Sequence, residues 1–228
     1  MNNNFKNKGF HKRGGYYQVV LLFILVLFTA CSQTIRKTVS LEADYSQEVT
    51  GEAILDLNRN YTFSPGNFTD LRYTKSPNYD STYVGDATYK VGGIIKLVTR
   101  TYIYNNEVEI SKTIFNALEG LVVNSGHQWD ITGGDICIDV TLYDLTPIHT
   151  KIFLDETILG YTNMKTSFID CKTNENIYES VYENKNDVTV FGEAFEIRIK
   201  RSLLMSILDI GRDKFLTQKI NTHFESHE

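Results

Sequence analysis

Two periodic patterns in the second half of the chain predict its best-defined elements. From Ile110 to Asn124, apolar residues recur every three or four positions, which predicts an amphipathic helix. Ser111 is its predicted N-cap, and the Ser-Gly pair ending at Gly126 predicts its end. From Asp135 to Asp144, apolar and polar residues alternate, which predicts a strand with one buried side and one side facing solvent.

The rest of this half predicts a hairpin and a closing helix. Strands at Thr157–Asp170 and Asn176–Glu183 flank the polar stretch CKTNE, an arrangement typical of a hairpin. Glu193–Lys219 carries an apolar stripe at helical spacing and predicts one long helix, in which Gly211 is a weak point that kinks or ends it. This order predicts an α+β fold, an antiparallel sheet with two amphipathic helices packed on one face.

The first half is rich in tyrosine, threonine and valine and predicts a Tyr-rich β segment ahead of the first helix. Its strongest predicted strand is Ile94–Tyr104, where β-branched and aromatic residues dominate. Residues 60–86 are weakly patterned and are interpreted as a long hairpin or loop. We therefore divide the predicted domain, residues 41–222, into a β-rich part, 41–104, and a helix-strand-hairpin-helix part, 105–222.

The first 30 residues have the layout of an export signal. The apolar run Val19–Phe28 has ten residues, about half of the roughly 20 that a membrane-spanning helix needs. Small residues follow it, and only basic charges precede it: Lys6, Lys8, Lys12 and Arg13. A basic stretch, a short apolar run and small residues together predict a secretory signal peptide.

The end of this signal, Phe28-Thr29-Ala30-Cys31, resembles a bacterial lipobox, with Phe28 where that pattern favours leucine. The resemblance implies cleavage before Cys31 and attachment of lipid to it, with more than one acyl chain for stable anchoring. Ser32 follows where enteric lipoproteins kept in the inner membrane carry aspartate, so the resemblance implies the outer membrane. We expect residues 31–40 to form a tether and residues 41–222 a single domain on the periplasmic face.

Charge argues against a nucleic-acid partner. The chain has 23 basic and 28 acidic residues. Loss of the signal removes four basic residues and no acidic one, which leaves 19 against 28 and a net charge of −9. Nucleic acid requires a positive surface, whereas an acidic surface favours solubility.

The order of elements after a lipobox resembles small periplasmic lipoproteins of the YajG type and auxiliary lipoproteins of ABC transport systems. The resemblance covers about residues 108–220: the helix Ile110–Asn124, the strand Asp135–Asp144, the hairpin Thr157–Glu183 and the amphipathic closing helix. It implies an accessory envelope protein without catalytic residues, so the chain is not expected to be an enzyme or to need a cofactor.

Candidate binding residues are aromatic or basic: His127, Trp129, Tyr73 and Tyr83. His127 and Trp129 share the loop sequence SGHQWDITGG, and tyrosine offers a large contact area at low entropic cost. The alternative interpretation places Trp129 in the core or at a sheet edge and treats the tyrosines as ordinary sheet residues.

The remaining polar candidates are interpreted structurally. The carboxylates Asp130, Asp135, Asp139 and Asp144 do not have the spacing of a calcium loop, and they fit a solvated strand face. His223 and His227 are four apart but lack a third ligand, so no metal site is predicted. Cys137 and Cys171 are expected to be unpaired structural cysteines, with a disulfide as the alternative.

The sequence thus predicts a lipid-anchored, non-catalytic accessory or interaction module. It would be held to the membrane by lipid on Cys31, with another envelope protein as partner. The alternative is a surface-displayed module that binds ligands or glycans through its tyrosines between Tyr61 and Tyr104. The oligomeric state stays open.

Overall fold

The structure, a computed structural model, describes residues 31–41, 54–72, 79–92, 97–152, 155–186 and 195–226. The predicted signal peptide, Tyr73 and His227 lie outside the described residues. Contacts between Cα atoms divide the chain into two compact units. One comprises Met1–Ile35 with Thr88–Thr101, and the other comprises Arg36–Ala87 with Tyr102–Glu228.

The described residues form eight strands and three helices. The strands are β1 (Cys31–Val39), β2 (Thr62–Asp70), β3 (Tyr83–Gly92), β4 (Leu97–Asn106), β5 (Gln128–Trp129), β6 (Ile136–Ile152), β7 (Asp155–Asp170) and β8 (Asn176–Asn186). The helices are α1 (Ile110–Asn124), α2 (Phe195–Arg212) and α3 (Lys214–Glu225). Among the described helices, none combines the length and the apolar character needed to span a membrane.

The strands form two sheets, which confirms the predicted α+β class. The smaller sheet has the order β1-β4-β3, and the larger has the order β5-β2-β6-β7-β8. Strands β6, β7 and β8 are antiparallel neighbours, as predicted. Strand β2, however, runs parallel to both β5 and β6, so the larger sheet is mixed and the predicted hairpin over residues 60–86 is wrong. A parallel pair needs a long crossover, here containing α1, and the local sequence of β2 does not reveal such a distant partner.

Strand β6 follows the alternating pattern and then continues further than predicted. Ile136, Ile138, Val140 and Leu142 are at most 1% exposed. A bulge between Leu142 and Asp144 shifts the register, and burial resumes at Leu145, which is 0% exposed. The extra residue of a bulge lets the same sheet face remain buried beyond the break in the pattern.

Helix α1 has the predicted bounds, but its start differs in detail. The N-cap residue is Glu109 and makes no side-chain capping bond, so the predicted cap at Ser111 is wrong. The helix ends as predicted, at a C-cap of Ser125 followed by Gly126 with φ of +83°. The left-handed conformation at Gly126 is one that glycine adopts without steric cost.

The predicted closing helix is two helices. Helix α2 ends at Arg212, one residue after Gly211, and Asp213 accepts hydrogen bonds from the backbone N–H groups of Phe215 and Leu216 as N-cap of α3. An aspartate at this position starts a new helix, which explains the break. The apolar stripe of both helices is fully buried: Ile199, Leu203, Ile207, Ile210, Leu216 and Ile220.

The stretch predicted as a tether is strand β1, paired with β4. Ser32, Gln33 and Arg36 are exposed, and Val39 is buried. Polar exposed residues made this segment resemble an irregular linker in the sequence. Threonine and isoleucine have high strand propensity, however, and β4 supplies the backbone partners that a lone strand lacks.

Candidate functional site

The predicted lipidation site, Cys31, is the first residue of β1. The residue that would carry lipid is thus continuous with a strand of the smaller sheet. A lipid attached there would be joined to regular structure without an intervening flexible linker.

Two of the predicted binding residues lie together, at the β5 edge of the larger sheet. Trp129 is partly exposed in β5 and pairs with Phe63 of β2. His127 is buried, and its Nε2 lies 2.9 Å from the carbonyl oxygen of Leu55. A carbonyl oxygen can only accept a hydrogen bond, so Nε2 carries a proton and donates the hydrogen bond to Leu55. His127 therefore packs inside the protein, whereas Trp129 offers part of its ring to solvent.

Three of the tyrosines proposed for ligand binding present little surface, whereas Tyr79 and Tyr102 are partly exposed. Tyr61 is 2% exposed, and Tyr83 and Tyr104 are each 5% exposed. Tyr83 lies in β3 of the smaller sheet, apart in topology from His127 and Trp129, and its hydroxyl donates to Asp86. Tyr61, Tyr83 and Tyr104 therefore contribute to the core.

The carboxylates around β6 hold neighbouring backbone in place. Asp135 accepts a hydrogen bond from the backbone N–H of Thr62 at 3.1 Å and lies 3.2 Å from Lys172 Nζ. Asp139 accepts from both the backbone and the side-chain amide of Asn67, at 2.6 and 3.2 Å. Across the described part of the chain, no three histidine, cysteine, aspartate or glutamate side chains are grouped to hold a metal ion.

Cys137 and Cys171 form a disulfide, so the expectation that they are unpaired was wrong. The register of β6 and β7 places Cys137 opposite Ile169, close to the turn that holds Cys171. The backbone N–H of Cys171 also donates to the carbonyl of Asp135, at 3.0 Å. The two Cα atoms are 5.3 Å apart, within the range that a disulfide spans.

Beside this disulfide, a buried hydrogen bond between His223 and Asp170 attaches helix α3 to the β7–β8 turn. Asp170 is 6% exposed and accepts from the backbone N–H groups of Lys172 and Thr173, at 2.8 and 3.0 Å. Its other oxygen lies 3.1 Å from His223 Nε2. Burial raises the pKa of Asp170, but the hydrogen bonds from His223 and the turn outweigh it and lower the pKa to about 2. His223 thus has a structural role as the partner of Asp170.

The start of α3 is fixed by a second carboxylate. Besides capping the helix, Asp213 accepts hydrogen bonds from the hydroxyls of Tyr178 and Tyr182 in β8, each at 2.9 Å. Burial and the bond to this carboxylate raise the pKa of Tyr182, because both favour the neutral phenol. Helix α3 is therefore attached to the sheet near both of its ends.

A groove of about 620 Å³ lies beside the junction of α2 and α3. Its walls are the irregular segment before β2, the end of α2 and one face of α3: Ile54, Asp56, Gly211, Arg212, Lys214, Thr217, Gln218, Asn221 and Thr222. Asn58 joins the two sides, because its backbone N–H donates to Asn221 and its side chain donates to Glu225. Ligand sites commonly have volumes in this range. No local pattern in the sequence predicts this groove, because its walls come from distant segments.

No protein-family model and no curated protein matches the chain. Among solved structures, XCC0632 from Xanthomonas campestris, described as DUF330, aligns over 85% of this chain and 99% of its own, with a TM-score of 0.50 and 8% identity. A minor lipoprotein from Acinetobacter baumannii aligns over 50% of this chain and 87% of its own, with a TM-score of 0.28 and 12% identity. Lipoprotein GNA1162 from Neisseria meningitidis aligns over 65% and 98%, with a TM-score of 0.25 and 9% identity.

The likeness to XCC0632 shows a shared fold. The TM-scores of the two lipoproteins are too low to support an argument about this chain. The resemblance to lipoproteins of the YajG type stays a prediction from the sequence.

Proposed function

We propose that the protein is a bacterial envelope lipoprotein, acylated on Cys31, whose folded part is a non-catalytic interaction module for an envelope assembly or transport system. The observation that carries the proposal is the sequence Phe28-Thr29-Ala30-Cys31 directly after a short apolar run. Such a run is too short to span the bilayer, and it delivers a cysteine to the site of cleavage.

The disulfide gives independent support for export. Disulfides persist in oxidising compartments such as the periplasm and are rare in the cytosol. Cys137 and Cys171 are brought together by strand register and turn geometry, so their pairing is compatible with the native fold without backbone distortion. The disulfide therefore supports a folded part in an oxidising compartment such as the periplasm, and the proposed place at the outer membrane rests on Ser32 after the lipobox cysteine.

An interaction role is supported by large apolar side chains that the fold leaves in solvent. Phe215 on α3 is 70% exposed, and Ile131, two residues after Trp129, is 78% exposed. Exposed aromatic residues often provide much of the binding energy at protein interfaces. The burial of Tyr61, Tyr83 and Tyr104 gives no support to the alternative of glycan binding through the tyrosines.

Metabolic labelling with an alkyne fatty acid in a bacterial host tests the proposal. The wild-type protein takes up label, and Cys31→Ala takes up none and leaves the membrane fraction. The matched control, Cys137→Ala with Cys171→Ala, keeps its label, because those two cysteines are internal to the fold. Label on Cys31→Ala equal to wild type would rule out lipidation at this site.

Protease treatment of intact cells tests the orientation. A protein on the periplasmic face is protected until the outer membrane is opened. Digestion in intact cells would instead favour surface display.

A further inference from the structure

We propose that the groove beside the α2–α3 junction binds an extended acidic segment of a partner protein. This inference rests on the proposed role as an interaction module and names the chemistry of the partner. The groove is lined by the segment before β2, the end of α2 and one polar face of α3.

The charges of the groove differ in sign from those of the chain as a whole. Arg212 and Lys214 contribute two cations, and Asp56 contributes one carboxylate. The chain from Cys31 onward carries 19 basic and 28 acidic residues. The lining residues of the groove therefore have a net positive charge in a chain whose net charge is negative. Arg212 is about two-fifths exposed and lies 3.7 Å from Asp209. Lys214 is exposed and has no ion-pair partner among the described residues. Its ammonium group is available to a ligand carboxylate.

Hydrogen bonding reinforces the preference for a ligand with hydrogen-bond acceptors. The side-chain oxygen of Asn221 accepts a hydrogen bond from the backbone N–H of Asn58, at 3.0 Å, and the Nδ2 of Asn221 is a donor that a ligand can use. Gln218 is exposed one turn earlier on the same face. These donors suit carboxylate and peptide carbonyl oxygens. Asp56 is the one carboxylate among the lining residues, and it can accept hydrogen bonds from the N–H groups of a peptide backbone.

The dimensions match a short extended peptide. The lining face of α3 runs from Lys214 to Thr222, which at the rise of an α-helix is about 12 Å. About four residues of extended chain cover that distance. Attachment of α3 through Asp213 and through the His223–Asp170 pair makes this wall rigid before binding, which lowers the entropic cost of association.

Asp56 distinguishes a peptide from a compact anion such as phosphate. A dianion in the groove would be repelled by this carboxylate, whereas a peptide places N–H donors and carboxylate acceptors at different points along its length. The observations therefore favour an acidic peptide over a phosphate group.

Fluorescence anisotropy with the full chain, purified in detergent, tests the proposal. The probe is a fluorescein-labelled tetrapeptide of alternating alanine and aspartate, and its comparison replaces each aspartate with asparagine. We expect the acidic probe to bind at least about tenfold more tightly, since a hydrogen bond to a charged group contributes that much or more. Added salt should weaken its binding.

Two variants of α3 locate the binding. Lys214→Glu should lower the affinity for the acidic probe by at least about tenfold, because it removes one hydrogen bond to a charged group. Lys219→Glu makes the same charge change at an exposed position on the same helix that does not line the groove, and it should leave the affinity within about twofold, because exposed charges outside the site are screened. Circular dichroism confirms that both variants are folded.

Each of three binding results would overturn the inference: the asparagine probe binds as tightly as the acidic probe, the two lysine variants lose the same affinity, or the acidic probe does not bind. A competition result would do the same. Competition by inorganic phosphate at the same concentration as the acidic peptide would assign the groove to simple anions and would also overturn it. Fatty-acid labelling at Cys31 is measured separately. A negative peptide-binding result would therefore not contradict the proposed lipoprotein assignment.

Discussion

Loss of the Cys137–Cys171 disulfide should lower the stability of the protein by about 3.8 kcal/mol. The two cysteines are separated by 34 positions. In the chain-entropy model, closing a loop of that size removes about 12.6 cal/mol/K from the unfolded ensemble, which is about 3.8 kcal/mol at 25 °C. Both side chains are only partly buried, so replacement by alanine adds little cavity cost.

Urea unfolding of Cys137→Ala with Cys171→Ala measures this loss. The sole tryptophan, Trp129, lies in β5 of the same sheet as Cys137 and reports its unfolding by fluorescence. With a slope of about 2 kcal/mol per molar urea, the midpoint should fall by about 1.9 M. In a chain of this size the melting temperature should fall by about 8–15 °C.

The reduced wild-type protein is the internal comparison. Treatment with a phosphine reductant should bring its midpoint down to that of the double variant, and it should leave the variant unchanged. A double variant within about 1 kcal/mol of oxidised wild type would refute the loop-entropy reasoning. If the reductant does not change the urea midpoint of the wild-type protein, the two cysteines are not paired.

Substitutions at three further positions test how the helices are attached. Because the folded-state pKa of Asp170, about 2, lies below its ordinary value of 3.8, its contribution to stability is complete above pH 4 and is lost as pH falls towards 2. Asp170→Asn should flatten the dependence of unfolding free energy on pH in that window, and an unchanged slope would contradict this origin. Gly160→Ala should cost about 1–3 kcal/mol in urea unfolding, because the added Cβ would overlap the backbone carbonyl of Arg198 and force α2 away from β7; a neutral result would show that the helix is not packed this closely. Asp213→Ala should cost about 1–2 kcal/mol through loss of the N-cap of α3, and Asp213→Asn should cost less because asparagine also caps; equal losses would assign the effect to the tyrosine contacts instead.

The parts of the fold that the sequence predicted are those set by local periodicity. The bounds of α1 follow from an uninterrupted apolar stripe and a Ser-Gly stop. The first half of β6 follows from strict alternation. Gly211 correctly marked the weak point of the closing helix, but Asp213 is the residue that starts α3, because its side chain accepts two backbone N–H groups.

The parts that the sequence did not predict depend on distant partners. Strand β2 is defined by its parallel pairing with β6, and the strand at Cys31–Val39 is defined by its pairing with β4. The disulfide requires the register of the β6–β7 hairpin, and β6 has 17 residues where the alternating pattern covers only Asp135–Asp144. The groove at the α2–α3 junction combines segments more than 150 residues apart in sequence, from Ile54 to Thr222, and no local pattern marks such a site.

Mass spectrometry of the protein purified from bacterial membranes tests the central claim most directly. The account predicts an N-terminal peptide that begins at Cys31 and carries the added mass of a diacylglycerol group on its sulfur. Recovery of an intact segment ahead of Cys31, or of a peptide that begins at Cys31 without lipid, would contradict it.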